Sequence, residues 1–398
     1  MRISLKKNSG NWRSYLPIIC LIGLAVVVRL LLIPFTNYDT DGYSRWYDFI
    51  ARNGVRSALG QNFAIYTPPY IYLLSLATLK KDLVPKILAI KLIPIFFDMV
   101  NALLVVKILR LKYTVGKMPY WGAVVFLLAP TIIMNSALWG QVDSFYTCFL
   151  LITVFFLLTE RPLSAMIAFG LAMSIKAQAA FFGPFLLLMV LKKRIPLYTF
   201  GLIPLAYLAA MLPAMLSGRS LWDVLTVYLN QAAELQILSH NAPNWYIFVP
   251  QFTYPTSMPI GILITIFVSA TWAYLHSRDN SLASDEVLFF AAFVSVALTP
   301  FLLPKMHDRY FYPADVMSII MAFFIPQLWF IPLCYQVISG LVYSIFLFET
   351  PRSLMLILAT ELNTIVIFYL LWKQFRLSRI QTISQQNDID YVRELEVE

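Results

Sequence analysis

Stretch after stretch of this chain is apolar over a helix's length, with only short polar turns between. The stretches run roughly over 16–35, 86–106, 118–134, 143–159, 162–175, 179–191, 195–216, 256–275, 286–303, 311–326, 328–347 and 353–372. Such segments cannot all be buried in one water-soluble core, and a bilayer is the solvent that accepts them. Charge agrees: 13% of residues are charged and 60% hydrophobic, where soluble domains are about 25% charged. The expected fold is all-α, a single polytopic membrane domain over 1–398 with about twelve transmembrane helices. The basic start, MRISLKKNSGNWR, precedes an apolar run too long for a signal peptide, so 16–35 reads as an uncleaved first helix. Tyr66 to Leu79 is also apolar, but at 1.5 Å per residue it reaches only about 20 Å, short of a hydrocarbon core of about 30 Å. It reads as an interfacial or re-entrant helix.

Charge sets the orientation. With the N-terminus inside, a majority of the 30 Lys and Arg residues fall in inner loops, as the positive-inside rule requires. The formal net charge of +9 is spread over these short loops and gathers on no one domain, which argues against nucleic acid as a partner. Both termini then lie inside, with a cytoplasmic tail over 373–398. The outer face carries two large loops, over 36–85 with interfacial helices and over 217–255, and large loops on one side point to chemistry there. Cys20, Cys148 and Cys334 all lie in apolar stretches and read as packing residues, with neither disulfide nor metal spacing.

Five polar stretches interrupt this pattern, all on the outer side. NYDTDGYSRWYD, 37–48, holds Asp39 and Asp41, a pair suited to a general base or a divalent cation, or to an ordinary Asx-turn in a solvated loop. YTPPYIYLL, 66–74, opens a helix with Tyr66 ahead of two prolines. NSALWGQVDSFY, 135–146, brings Trp139, Gln141 and Asp143 to a helix start, where Asp143 could equally be an N-cap. SIKAQAAFFGP, 174–184, sets Lys176 and Gln178 in an apolar run, a costly placement that marks a functional candidate. KMHDRYFYP, 305–313, packs Lys305, His307, Asp308 and Arg309 before Tyr310, against the charge rule for an outer loop. Its cationic donors suit a lipid phosphate whose tail stays in the membrane. Within the apolar stretches, Lys91 and Asp98 are expected to bond neighbouring helices, Arg29 to reach toward water, and Asp315 and Glu361 to face the bundle interior.

In this order the stretches resemble the motifs of the GT-C superfamily of membrane glycosyltransferases. An acidic first outer loop (Asp39, Asp41) is followed by Tyr66-x-Pro68-Pro69, Trp139-Gly140-Gln141-x-Asp143, Lys176-x-Gln178 and Met306-His307-Asp308-Arg309-Tyr310. The nearest resemblance is to bacterial proteins related to the GPI mannosyltransferase PIG-V. The chain is also similar to the dolichyl-phosphate-glucose-dependent glucosyltransferases, which have one key aspartate in the first loop where this chain offers two. The resemblance implies transfer of a hexose, mannose or glucose, from a polyprenyl-phosphate donor to a lipid-linked or cell-envelope glycan. The transfer would occur on the outer face of a bacterial plasma membrane, with inversion in one displacement. Asp41 or Asp39 would be the base. Arg309, His307, Lys176 and Lys305 would hold the donor phosphate. Tyr66, Trp139, Gln141, Asp143, Gln178, Asp308 and Tyr310 would line the substrates. No cofactor is required, and a divalent cation at Asp39/Asp41 stays open. A flippase for lipid-linked sugars, or an O-antigen polymerase or ligase, would share the helices and the phosphate site, but would call for a polar path to both faces or for a large Arg- and His-rich loop.

Overall fold

A computed structural model describes residues 12–234, 236–278 and 284–395. The basic Arg2, Lys6 and Lys7 and the last three residues of the tail lie outside them. Every apolar stretch forms helix. In chain order the helices are α1 Leu16–Leu32, α2 Tyr38–Asn53, α3 Val55–Leu59, α4 Pro68–Thr78, α5 Lys86–Lys112, α6 Met118–Leu128, α7 Pro130–Ile133 and α8 Asp143–Leu158. They continue as α9 Pro162–Ile175, α10 Gly183–Leu191, α11 Leu202–Leu216, α12 Leu221–Glu234, α13 Tyr254–Ser277, α14 Asp285–Leu302, α15 Tyr312–Phe324, α16 Phe330–Leu347 and α17 Arg352–Leu395. The only strands among the described residues are the two-residue β1 Ser239–His240 and β2 Met306–His307, paired in parallel. The molecule is an all-α integral membrane protein. Seven described helices are long and apolar enough to cross a bilayer, and α6 with the segment 130–139 makes an eighth if that bent pair is one span. α8, α9 and the segment 177–191 are apolar but shorter.

Three sequence features shape the end of the bundle where the polar stretches meet. Pro130 has no N–H to continue α6, and Ala129 before it is extended (φ −61°, ψ 125°). The chain therefore bends by 56° between Met118–Leu128 and Pro130–Trp139. The second limb ends in a π-helix, Met134–Trp139, closed by Gly140 in the left-handed region (φ 81°), where a side chain would press on Thr40 and Lys91. At Lys176 the backbone is extended (φ −147°, ψ 139°), so α9 stops there and a 3-10 turn, Ala177–Phe182, leads into α10.

α14 is the axis of the bundle. It is buried from Val287 to Phe301 and packs on α10, α13, α15 and α17. Its few polar groups are satisfied locally, Ser295 and Thr299 both donating to the Phe181 carbonyl. Peripheral helices instead turn large apolar side chains outward, as Leu31 on α1, Leu208 and Leu212 on α11 and Phe267 on α13 do, which is the pattern of a surface facing lipid.

Two buried cations tie α1 and α5 to the bent segment. Lys91 Nζ donates to the carbonyls of Leu32 (3.3 Å), Phe35 (2.5 Å), Ala137 (2.8 Å) and Leu138 (3.0 Å). It thus caps the C-terminal ends of α1 and the π-helix together, where the helix dipole favours a cation. About two turns further along α5, Arg29 Nε donates to Asp98 Oδ2 at 2.9 Å, and its Nη1 donates to the carbonyls of Ala25 and Leu127. Ser136 Oγ donates to the same Asp98 oxygen at 2.5 Å. Arg29 therefore turns inward, against the expectation that it reaches for water: a guanidinium at this depth finds its hydrogen bonds only in the protein. Glu361 departs in the opposite sense, lying exposed on α17.

The junctions between helices gather into two groups. One joins Asn37–Asp41, Trp139–Gln141, Lys176, Ser239–Asn241, Met306–Arg309 and Arg352. The other joins Lys112 to Glu286 (2.8 Å), Tyr113 to the Phe323 carbonyl (2.7 Å) and Lys117 to the Ser14 carbonyl (2.8 Å).

Removing Arg29 strands a buried carboxylate. Arg29→Met is expected to cost about 3–5 kcal/mol of stability, and the double variant Arg29→Met/Asp98→Leu to recover much of that loss. Unfolding of the purified protein in detergent compares the three chains.

Candidate functional site

The first junction group is the site. It begins with Asn37, whose side chain accepts from the backbone N–H groups of Asp39 and Thr40, while Thr40 Oγ1 accepts from the Asn37 N–H. This reciprocal cap starts α2 at Tyr38. Asp39 and Asp41 thus sit in the first turn of a helix and not in a loop. Residues two apart on a helix do not face each other, and the pair divides accordingly. Asp39 turns into the protein, where its Oδ2 accepts from Trp139 Nε1 (2.8 Å) and from Gln141 Nε2 (2.6 Å). Asp41 is exposed.

Gln141 is buried and fully engaged, its Oε1 accepting from Tyr43 (3.1 Å) and Tyr66 (3.3 Å). Tyr43, one helical turn after Asp39, was not among the sequence candidates. Its signal was the spacing of four residues that places it on the Asp39 face once α2 is read as helix. Tyr43, Trp46, Tyr66 and Tyr70 pack against one another in tilted and edge-to-face contacts, with ring centroids 5.3–5.9 Å apart for the Tyr66 contacts. Trp139 is buried, stacked on Phe346 at 4.7 Å and 17°.

Lys176 and Asp143 form a buried pair, Nζ to Oδ1 at 2.6 Å, and Asn135 Nδ2 donates to the other Asp143 oxygen at 3.0 Å. Asp143 is the first residue of α8 and its own side chain caps no N–H there. The Lys176 ammonium also lies 5.2 Å from the Tyr66 ring centroid. Its charge is answered by Asp143, so it braces the site more than it waits for an anion.

The 305–310 stretch divides in the same way. Lys305 turns away: its N–H donates to the Leu238 carbonyl (2.6 Å) and its Nζ to the Ala232 carbonyl near the end of α12. Arg309 turns in. Its guanidinium lies 5.6 Å over the Trp139 ring, its nearest carboxylate contact is a loose 3.8 Å to Asp308, and its buried Nε has no hydrogen-bond partner among the described residues. Asp308 Oδ1 instead accepts from the Arg309 N–H at 2.9 Å. His307 pairs in register with His240, ring centroids 4.4 Å apart, and stands 5.1 Å from Tyr310. Gln178 reaches the Tyr310 hydroxyl. Asn244, in the second large loop, is buried and spends its amide on the carbonyls of Pro300 and Leu303, a bracing role.

Charge in this stretch follows burial. Burial, with Arg309, His240 and Lys176 close by, pushes His307 down to about 2, so the ring is neutral. Burial also draws His240 below its ordinary value, and Arg309 and Arg352 add to this. Asp308 is pushed up to about 7, chiefly by burial and further by Asp39 and Asp143, against the opposing pull of Arg309. No cluster of three or more His, Cys, Asp or Glu side chains suited to a metal occurs among the described residues. A cavity of about 610 Å³ lies elsewhere, an apolar groove between α6, α15 and α16.

The Asp308 shift has a sign. Between the ordinary carboxylate value of 3.8 and about 7, the folded chain holds a proton that the unfolded chain has released, so stability falls as pH rises through that window. Asp308→Asn removes this dependence, and its unfolding temperature in detergent is expected to gain on wild type from pH 4.5 to pH 7.5. No family model matches this chain, and no curated protein does.

Proposed function

We propose that this chain is a membrane glycosyltransferase that moves a hexose from a polyprenyl-phosphate donor to a glycan or glycolipid hydroxyl on the extracytoplasmic side. One observation carries the reading. Asp39, whose Oδ2 is fixed by Trp139 and Gln141, meets the edge of the Trp139 indole, and Arg309, whose Nε is buried and without a hydrogen-bond partner among the described residues, lies over the face of the same ring. A fixed base and an available cation beside one aromatic ring suit a displacement in which an acceptor gives up a proton and a phosphate departs.

In the proposed step the acceptor oxygen attacks the anomeric carbon of the donor. Its proton passes to Asp39, whose Oδ1 makes no hydrogen bond among the described residues. The bond between the anomeric carbon and the phosphate oxygen breaks with its electron pair on the phosphate, and Arg309 meets that charge. Attack and departure on opposite faces invert the centre. Neutral His307 can donate one N–H without adding charge. Lys176 and Asp143 hold Tyr66 and the end of α9 in place. The aromatic group of Tyr43, Trp46, Tyr66 and Tyr70 offers faces for a sugar ring. Asp39 is thus preferred to Asp41 as the base, and Arg309 to Lys305 as the phosphate ligand.

The reading also takes the chain across the bilayer twelve times. Members of the second junction group separate 37–41 from 139–141, 239–241 from 306–309, and 306–309 from Arg352, with α2, α3, α4 and α12 at the outer interface. The positive-inside rule places the Lys112–Lys117 group in the cytoplasm and the site outside.

The test uses membranes containing the chain and radiolabelled polyprenyl-phosphate mannose or glucose, with label followed into lipid and glycan extracts. Asp39→Asn is expected to lower transfer by about 10²–10⁴-fold, Arg309→Ala by about 10²-fold or more, and Asp41→Asn to leave it within about twofold of wild type, as surface changes do. Labelled lipid that crosses liposome leaflets with no transfer would replace this reading with the flippase.

A further inference from the structure

A smaller cavity, of about 230 Å³, lies beside the site and is polar where the 610 Å³ groove is apolar. Its walls are residues 62–65, just ahead of Tyr66, and Val227, Asn230 and Gln231 of α12. Close contacts fix those walls. Gly60 lies so near the Ser217 carbonyl that a Cβ there would stand 2.3 Å from the oxygen. Arg219 Nη2 donates to Asn62 Oδ1 at 2.6 Å, and Gln231 Nε2 donates to the Ile65 carbonyl. Phe63 stacks on Phe49 at 4.3 Å and 21°.

Two of these bonds also orient carboxamides. A guanidinium only donates, so Asn62 turns its Oδ1 to Arg219 and keeps Nδ2 as a donor with no partner among the described residues. A backbone carbonyl only accepts, so Gln231 turns its Nε2 to Ile65 and keeps Oε1 as an acceptor. The cavity therefore carries one preset donor and one preset acceptor, and the Asn230 carboxamide adds one of each. No Lys, Arg, His, Asp or Glu is among the residues that line it. A phosphate or an ammonium would find no countercharge in that lining. A hydroxyl, which donates and accepts at once, matches it. Phe63 and Val227 supply apolar surface for the C–H face of a ring. At about 30 Å³ per water molecule, the space equals about eight waters, room for one sugar ring and not for a chain of them.

Position bears on where that sugar comes from. Ile65 is joined to Tyr66, whose hydroxyl donates to the same Gln141 that holds Asp39. We propose that the cavity is a saccharide subsite for the acceptor, taking a neutral hexose or acetamido-hexose unit behind the one whose hydroxyl reacts. Its acceptor role rests on the glycosyl transfer proposed above, whereas sugar binding itself does not. The acceptor is then a glycan of at least two units, and α12 forms one wall of its path.

Saturation-transfer NMR on the full chain in lipid nanodiscs reads the binding without requiring catalysis. The probes are α-linked mannotriose, maltotriose, triacetylchitotriose and the acidic trigalacturonate. At least one neutral trisaccharide is expected to bind, and trigalacturonate not to. Asn62→Asp keeps the acceptor for Arg219 but loses the donor, and is expected to weaken binding about tenfold, the scale of one hydrogen bond whose partner is left unpaired. Asn230→Trp fills the space from the exposed side of α12 and is expected to weaken it by about the same factor or more. Both positions are exposed, so both variants are expected to unfold at the wild-type temperature. No binding by any neutral probe, binding that neither substitution changes, or a preference for trigalacturonate overturns the subsite. Transfer that proceeds in a chain with no such binding overturns the subsite alone. Binding that both substitutions weaken, in a chain that transfers no sugar, keeps the saccharide site and overturns the transferase.

Discussion

The site depends on a lysine that takes no part in its chemistry. Lys91 gathers four carbonyl oxygens from the ends of two helices that are far apart in sequence. Without a cation, those carbonyls would converge in an apolar setting with nothing to donate to them. With it, the end of α1 and the end of the π-helix are held against α5. The Asn37 side chain then reaches the Trp139 carbonyl at 3.0 Å, and Asp39 lies within reach of Trp139 and Gln141. Gly140 completes the arrangement, since its bare Cα allows Thr40 and the Lys91 stem to close over it.

Layered satisfaction of polar groups recurs throughout the bundle. Arg29 and Asp98 neutralise each other below Lys91, and Lys176 and Asp143 do so beside it. Each pair also draws hydrogen bonds from a third helix or segment, through Ser136 in one case and Asn135 in the other. A buried pair gains little stability over a well-packed apolar contact. What these pairs add is registry, because each fixes the relative height of helices whose apolar surfaces alone would allow them to slide.

Much of the helical framework was legible because span-length apolar stretches leave the chain few alternatives. The bend at Pro130 and the break at Lys176 also had local causes visible in the sequence. Which member of each charged motif enters the site was not legible, because that turns on the phase of an element. Asp39 and Asp41 differ only in which side of α2 they occupy. Lys305 and Arg309 differ only in which side of the β2 strand and the turn after it they leave from. The helical phase of α2 could have been read from Asn37 and Thr40, a capping pair at the right spacing, and it would have named Tyr43 as well. α12 went unread inside the second large loop, although Leu221, Val224, Leu225, Tyr228 and Leu229 repeat at helical steps. The inward turn of Arg29 and the outward turn of Glu361 depend on tertiary neighbours and leave no mark on the sequence around them.

The two-residue pairing of β1 with β2 is small, but it makes one mechanical body of parts that look separate. Ser239 and His240 are locked to Met306 and His307, the Lys305 N–H holds Leu238 just before β1, and the Lys305 ammonium holds Ala232 in the last turn of α12. Arg309 follows three residues after that lock. α12 itself is fastened at Tyr228, whose hydroxyl donates to the Met173 carbonyl at 2.5 Å. Lifting this cover from the bundle would therefore drag on the strand that aims the guanidinium. The position of β1 and the aim of the Arg309 side chain are thus coupled through a two-residue pairing.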